Sequence, residues 1–172
     1  MTDTLPAFVV ALMVHGAIGG TDVVVNHELL ARLPRQPWAT TEQYFHTLRE
    51  LVFAAIFASL AWYEWHGGYA GVIVVLFALE LWISTMDTNL EWNTRVLPWT
   101  ERVMHVALFV NFGIVVALLG GRILEWARAP AGLVLVDYGW ASWVLSALAA
   151  GSLAWSLRDA ISIIRHRREP SP

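Results

Sequence analysis

The chain of 172 residues contains no cysteine and no lysine. The absence of cysteine excludes disulfide bonds, thiolate metal ligands and cysteine nucleophiles. All eleven basic residues are arginine, and fourteen acidic residues outnumber them, which gives a formal net charge of −3. This negative balance argues against a nucleic-acid partner.

Charge of either sign is scarce. Charged residues make up 15% of the chain, whereas a typical soluble domain has about 25%. Hydrophobic residues make up 57%, and the mean hydropathy is +0.54. Ten tryptophans in so short a chain are typical of a membrane protein with anchors at the lipid–water interface. The composition predicts an integral membrane protein that has membrane lipid as a partner.

Five stretches are apolar over the roughly 20 residues that a transmembrane helix needs. They are residues 5–33, 41–65, 69–93, 100–125 and 138–164. Proline and glycine mark the breaks between them, at Pro34, Pro37, Gly67, Gly68, Pro98 and Pro130. We therefore predict an all-α fold in which one transmembrane domain covers residues 1–172.

The arginines predict the orientation of the chain. One face carries Arg32, Arg35, Arg95, Arg102, Arg165, Arg167 and Arg168, and the other carries Arg122 and Arg128. Loops rich in arginine stay in the cytoplasm. This places the C-terminus in the cytoplasm and the N-terminus outside, and the expected location is the inner membrane of a bacterium.

The polar residues follow an internal repeat. The first span carries His15, Gly19, Asp22 and Asn26, and the third carries Glu80, Ser84, Asp87 and Glu91. Both sets have the spacing i, i+4, i+7, i+11, which stacks them on one helix face. Each span is followed by Leu-Pro, a tryptophan and Thr-Glu-x-x-x-His, ending at His46 and at His105. We interpret residues 5–65 and 69–125 as two copies of a helical hairpin, which form an antiparallel four-helix bundle with 138–164 as an added helix.

A charged side chain inside the bilayer costs about 2.5–3.5 kcal/mol, so these residues are expected to face the bundle interior. At a rise of about 1.5 Å per residue, the polar faces of four helices meet at one depth. His27 points away from the polar face of an α-helical first span, and we expect it at the interface. Arg49 neutralises one acid, and the remaining charge needs protons or a bound cation.

The pattern Glu-x-x-x-His places both side chains on one helix face. Carboxylate and imidazole together suit iron, manganese or zinc. The arrangement resembles the carboxylate-bridged di-metal four-helix bundles of the ferritin-like class, although the spacing here is i+4 instead of i+3. The resemblance is one of site design, not of family, and it implies two metal ions, with iron as the first choice.

The predicted metal ligands are carboxylates and imidazoles from all four bundle helices. They are Asp22, Glu42, His46, Glu50, Asp87, Glu91, Glu101 and His105, with His15 and Glu80 next. Asn26 and Arg49 are expected to support them from outside the ligand set.

The first function hypothesis is a membrane-embedded di-iron oxidoreductase that acts on an apolar, lipid-like or quinone substrate. The chain shows no soluble cofactor domain, so electrons would come from another protein or from quinone. A second hypothesis is a proton- or divalent-cation-coupled transporter or channel that uses the same acids. A haem protein with His46 and His105 as axial ligands and a structural subunit remain as further alternatives.

Overall fold

The computed structural model describes residues 4–168 and is built around five long helices. They are α1 (Ala7–Asp22), α2 (Thr40–Trp62), α3 (Ala70–Thr94), α4 (Trp99–Arg128) and α5 (Trp140–Arg168). Each belongs to a helical segment that is long and apolar enough to cross a membrane, and each exposes large apolar side chains. The predicted all-α fold with five transmembrane helices is confirmed.

The first span does not remain α-helical to its end. Beyond α1 the chain continues as a π-helix over Val23–Leu30, and the Ala31 N–H donates to the Asn26 carbonyl at 2.8 Å. This i to i+5 bond closes a wider turn than the α-helical one, so the side chains along it shift around the helix axis. Two 3₁₀ turns, Leu33–Arg35 and Pro37–Ala39, then lead into α2.

The contacts between helices follow the pattern of the two repeats. α1 packs against α4, and α2 packs against α3. In each pair, the first helix of one repeat contacts the second helix of the other repeat. α3 and α4 approach each other along a shorter stretch. α5 lies along α2 and also contacts α1, which makes it the helix added to the bundle. The duplication of an ancestral hairpin stays a prediction.

An apolar core fills the half of the bundle in which α2 and α4 end. Its buried members include Phe8, Leu12, Ile56, Leu60, Leu119 and Leu145. Lipid tails are as apolar as these side chains, so close van der Waals packing, and not exclusion of water, holds the helices together here. The buried histidines and acids lie toward the opposite end.

A two-stranded ribbon closes the apolar end. β1 (Tyr63–His66) pairs antiparallel with β2 (Gly132–Leu135), and Arg122 Nη2 lies 2.9 Å from Glu64 Oε1 beside it. The second predicted span runs through residue 65, but the helix ends at Trp62 and the next four residues form β1, so this boundary was wrong. Each strand is only four residues long. The two strands pair because the helices bring two distant connections together. No hydrophobic periodicity within either four-residue segment predicts this pairing.

The turn after β1 depends on a glycine. Gly67 has φ of +60°, and a Cβ built there would lie 2.6 Å from the Ala131 Cα. Left-handed backbone costs a residue with a Cβ roughly 1–2 kcal/mol, and a backbone atom cannot easily give way. We expect Gly67→Ala to lower the thermal unfolding midpoint of the detergent-solubilised protein, followed by tryptophan fluorescence.

The matched control is Gly68→Ala, because a Cβ at Gly68 meets nothing within 4 Å. This variant is expected to unfold within experimental error of the unsubstituted protein. Equal midpoints for both variants would contradict the role given to the ribbon turn.

Candidate metal centre

The π-helix turns His27 into the bundle, whereas the sequence predicts it at the interface. Asp22, Asn26 and His27 are exposed by only 1%, 0% and 3%. The His27 ring stacks on the His46 ring with centroids 4.4 Å apart, and its Nε2 lies 3.1 Å from Glu101 Oε1. The expectation for His27 was wrong because it assumed α-helical geometry throughout the span.

Each histidine of the repeated Glu-x-x-x-His pattern contacts the aspartate of a neighbouring helix. His46 Nε2 lies 3.2 Å from Asp87 Oδ2, and His105 Nε2 lies 3.5 Å from Asp22 Oδ2. All four side chains are buried. The two contacts occupy equivalent positions of the repeat and join the helix pairs that pack together. The structure thus brings predicted residues from both hairpins to one level.

Glu91 lies between these two histidines. Its Oε1 is 3.8 Å from His46 Nε2, and its Oε2 is 3.5 Å from His105 Nδ1. Two sets of potential ligand atoms, each set with all atoms within 4.8 Å of one another, share this carboxylate. The first set is His27, Glu91, Glu101 and His105, and the second is Glu42, His46 and Glu91. Buried groups with the composition and spacing of metal sites are therefore present.

Several ring nitrogens of this cluster lack a hydrogen-bond partner within residues 4–168. They are both nitrogens of His27, both of His105, and Nε2 of His46. Carboxylate oxygens lie close to them, but not in hydrogen-bonding geometry. A buried polar atom without a partner costs roughly 1–3 kcal/mol. A cation placed among these rings and carboxylates would satisfy both kinds of group.

Arg95, in the connection between α3 and α4, binds three carboxylates at the mouth of the cluster. Its Nη2 lies 2.6 Å from Glu101 Oε1, 2.7 Å from Glu42 Oε1 and 3.4 Å from Glu91 Oε1. Burial alone would lower the pKa of Arg95, but hydrogen bonds to Glu101 and Glu42 outweigh it and raise the pKa above its ordinary value. Arg95 is thus a permanent cation that ties α2, α3 and α4 together.

This role of Arg95 is not among the predictions from the sequence, in which Arg95 is one of the arginines that set topology. One local signal was available: Arg95 follows Glu91 at the i, i+4 spacing of a helical ion pair. The contacts with Glu42 and Glu101 carried no such signal, because they depend on how three helices converge.

Arg49 and Asn26 orient the two aspartates. Arg49 Nη1 donates to Asp87 Oδ2 at 3.0 Å. Asn26 Nδ2 donates to Asp22 Oδ1 at 2.6 Å, while Asn26 Oδ1 accepts a hydrogen bond from the Thr100 hydroxyl at 2.7 Å. Both side chains thus hold an aspartate beside the two ligand sets, and their role in supporting a metal site stays a prediction.

His15, Glu50 and Glu80 lie apart from the two sets. His15 Nδ1 is 3.3 Å from Asn111 Nδ2, and Glu80 accepts a hydrogen bond from the Ser84 hydroxyl at 2.5 Å. Glu50 is buried and lines a neighbouring cavity. Among the described residues, none of the three joins the convergent ligand atoms. The geometry therefore gives no support to their predicted role as ligands.

The cluster holds more negative than positive charge. Its carboxylates are Asp22, Glu42, Asp87, Glu91 and Glu101, and they face two guanidiniums, Arg49 and Arg95. With neutral imidazoles, three negative charges remain. Uncompensated charge in an apolar interior is costly enough that protons or a bound cation must balance it.

Comparison with protein-family models, with curated proteins and with solved structures gives no match to this chain. The functional interpretation therefore rests on the chemistry of the cluster.

Removing Arg95 tests how much the cluster depends on its own cation. We expect Arg95→Ala to destabilise the metal-free protein by about 3–5 kcal/mol, the typical cost of leaving buried charges without their partner. The readout is the unfolding midpoint in detergent after treatment with a chelator. Arg102→Ala is the matched control, since Arg102 is exposed. A midpoint for Arg95→Ala equal to that of the control would refute the role given to Arg95.

Proposed function

We propose that the cluster binds two metal ions and that Glu91 bridges them. The observation that carries this proposal is the presence of Glu91 in both sets of convergent ligand atoms. A carboxylate has two oxygens and serves two ions at once. In two-metal sites the ions lie about 3.5–4 Å apart, a separation that one bridging carboxylate spans.

The two ions would have different surroundings. His27, Glu101 and His105 would hold one ion with Glu91, and Glu42 and His46 would hold the other. Asp87 Oδ2 lies 3.2 Å from His46 Nε2 and is a further candidate ligand for the second ion.

Asp22 has a supporting role in this assignment. It contacts Nε2 of His105, whereas Glu91 contacts Nδ1 of the same ring. Histidine ligands commonly give their second nitrogen to a carboxylate, which fixes the tautomer and the orientation of the ring. Asp22 Oδ2 lies 3.5 Å from His105 Nε2, so a small movement of the ring would form this hydrogen bond and let Asp22 position His105 without binding the metal itself.

We propose iron as the metal. Imidazole and carboxylate ligands without thiolate suit iron, and the same set accommodates manganese or zinc. Iron supplies one-electron redox chemistry, so an oxidoreductase is the proposed enzyme class. An electron-donor protein or a quinone would complete the electron path, and the lipid setting favours an apolar substrate.

Arg95 bears directly on metal binding. Its guanidinium contacts Glu42, Glu91 and Glu101, which all belong to the proposed ligand sets. Two cations cannot share these oxygens fully, so metal binding requires Arg95 to give up part of its contacts. In this proposal Arg95 keeps the acids neutralised until the metal arrives.

The distribution of polar groups favours a fixed metal site over a transport path. The cluster lies in one half of the bundle, and the buried core of the other half is lined by apolar side chains such as Leu12, Ile56 and Leu119. A path for protons or cations would need polar groups across both halves. This observation supports the oxidoreductase proposal against the transporter alternative.

Elemental analysis of the detergent-purified protein tests the proposal. We expect two iron atoms per chain in the unsubstituted protein. We expect Glu91→Gln to lose both, because the bridging carboxylate serves both ions. Glu80→Gln is the matched control, because Glu80 is also buried on the same helix but lies outside both ligand sets.

Full metal content in Glu91→Gln would rule out a bridging role. A protein that binds no metal after reconstitution with ferrous iron would rule out the centre altogether. Proton flux into liposomes by such a metal-free protein would favour the transporter.

A further inference from the structure

A cavity of about 250 Å³ lies directly beside the cluster. Asp22 and His105, which contact each other, form part of its wall. The rest of the wall comes from α1, the π-helix, α2, α3, α4 and α5, so the cavity lies between the helices. A molecule bound there would lie next to the proposed metal centre.

One part of the wall is polar. It is formed by Arg49, Glu50 and Glu80, and each of the two glutamates has one buried carboxylate oxygen without a hydrogen-bond partner in the described chain. Glu50 lies on α2 and Glu80 on α3, so two separate acceptors are available. A ligand that satisfies both must carry hydrogen-bond donors, such as the hydroxyl groups of a quinol.

Most of the remaining wall is apolar and aromatic, although His15, Ser84, Thr88 and Ser152 also line it. Phe53, Phe57, Phe109, Phe112 and Trp155 contribute to it. Aromatic side chains pack well on the faces and edges of a flat ring. An apolar cavity of about 150 Å³ holds benzene, so the larger volume here fits one ring with substituents.

The cavity also reaches the lipid-facing surface. Leu81 on α3 and Phe109 on α4 line it, yet they are 49% and 39% exposed. These two helices approach each other only along a short stretch, which leaves room between them. An apolar tail on the ring could pass from the cavity into the bilayer at this point.

We propose that the cavity binds a benzoquinol, with its hydroxyl groups on Glu50 and Glu80 and its tail directed toward lipid. A fatty acid fits less well because its carboxylate would face two buried acids. A plain hydrocarbon would leave both acceptors unsatisfied. The inference deepens the proposed function, since it names the substrate class, but the binding itself depends only on the cavity.

The test is a binding titration of the detergent-purified protein with a decyl-substituted benzoquinol, measured by isothermal titration calorimetry under anaerobic conditions. The dimethyl ether of the same quinol is the ligand control, because it keeps the ring and the tail but has no hydroxyl donors. We expect saturable binding of the quinol at one site per chain, and binding of the ether about tenfold weaker or worse.

Two substitutions locate the site. Glu80→Leu removes one acceptor and is expected to weaken quinol binding about tenfold. Gly19→Phe places a ring inside the cavity that Gly19 lines and is expected to abolish binding. The controls are Glu125→Leu and Gly121→Phe, both outside the cavity and expected to bind as the unsubstituted protein does.

Metal content is measured on the same preparations, which separates this inference from the proposed function. Saturable, Glu80-dependent quinol binding by a protein without metal supports the cavity assignment while the metal proposal fails. A metal-loaded protein that does not bind the quinol overturns the cavity assignment alone. Equal binding of the ether, tighter binding of decanoic acid, or unchanged binding in Gly19→Phe overturns it as well.

Discussion

The need to neutralise buried carboxylates constrains this protein more than any other interaction. Asp22, Glu42, Asp87, Glu91 and Glu101 are almost completely withdrawn from solvent in a chain whose helices are otherwise suited to lipid. An isolated charge in such surroundings is too costly to persist. Two arginines and three histidines gather around these acids, and the helices that carry them must meet at one depth. The packing of α1 on α4 and of α2 on α3 brings these side chains together.

The two ends of the bundle therefore have different structural roles. The apolar half, closed by the β1–β2 ribbon, fixes the helices relative to one another through the packing of apolar side chains. The polar half can then hold imidazoles and carboxylates close together, although they repel or desolvate one another. The π-helix belongs to this second half, and π-turns inside longer helices are frequent at functional sites. It adds a third histidine ring to a cluster for which the repeat itself supplies two.

Much of this was predictable from the sequence. Hydropathy gave five spans, and the spacing of His15, Asp22, Glu80 and Asp87 placed acids on the inner helix faces. The π-helix had an unrecognised signal: eleven positions separate Asp22 from Leu33, whereas ten separate Asp87 from Leu97. The extra residue falls where the π-helix forms, and a wider turn accommodates it.

The ribbon and the three contacts of Arg95 have no comparable signal in the sequence, because they form only when distant connections and helices meet. Glu50 and Glu80 lie on the same helix faces as the proposed ligands but at a different depth and with different partners. The spacing along a helix predicts the face of a residue, but not its depth or its contacts.

X-ray absorption at the iron K-edge of the metal-loaded protein tests the central claim most directly. A carboxylate-bridged pair predicts a shell of oxygen and nitrogen neighbours without sulfur, and a second iron at about 3.5–4 Å. Sulfur is not expected because the chain has no cysteine. A first shell of light atoms with no iron neighbour within that range would contradict the account, since Glu91 would then not bridge two ions.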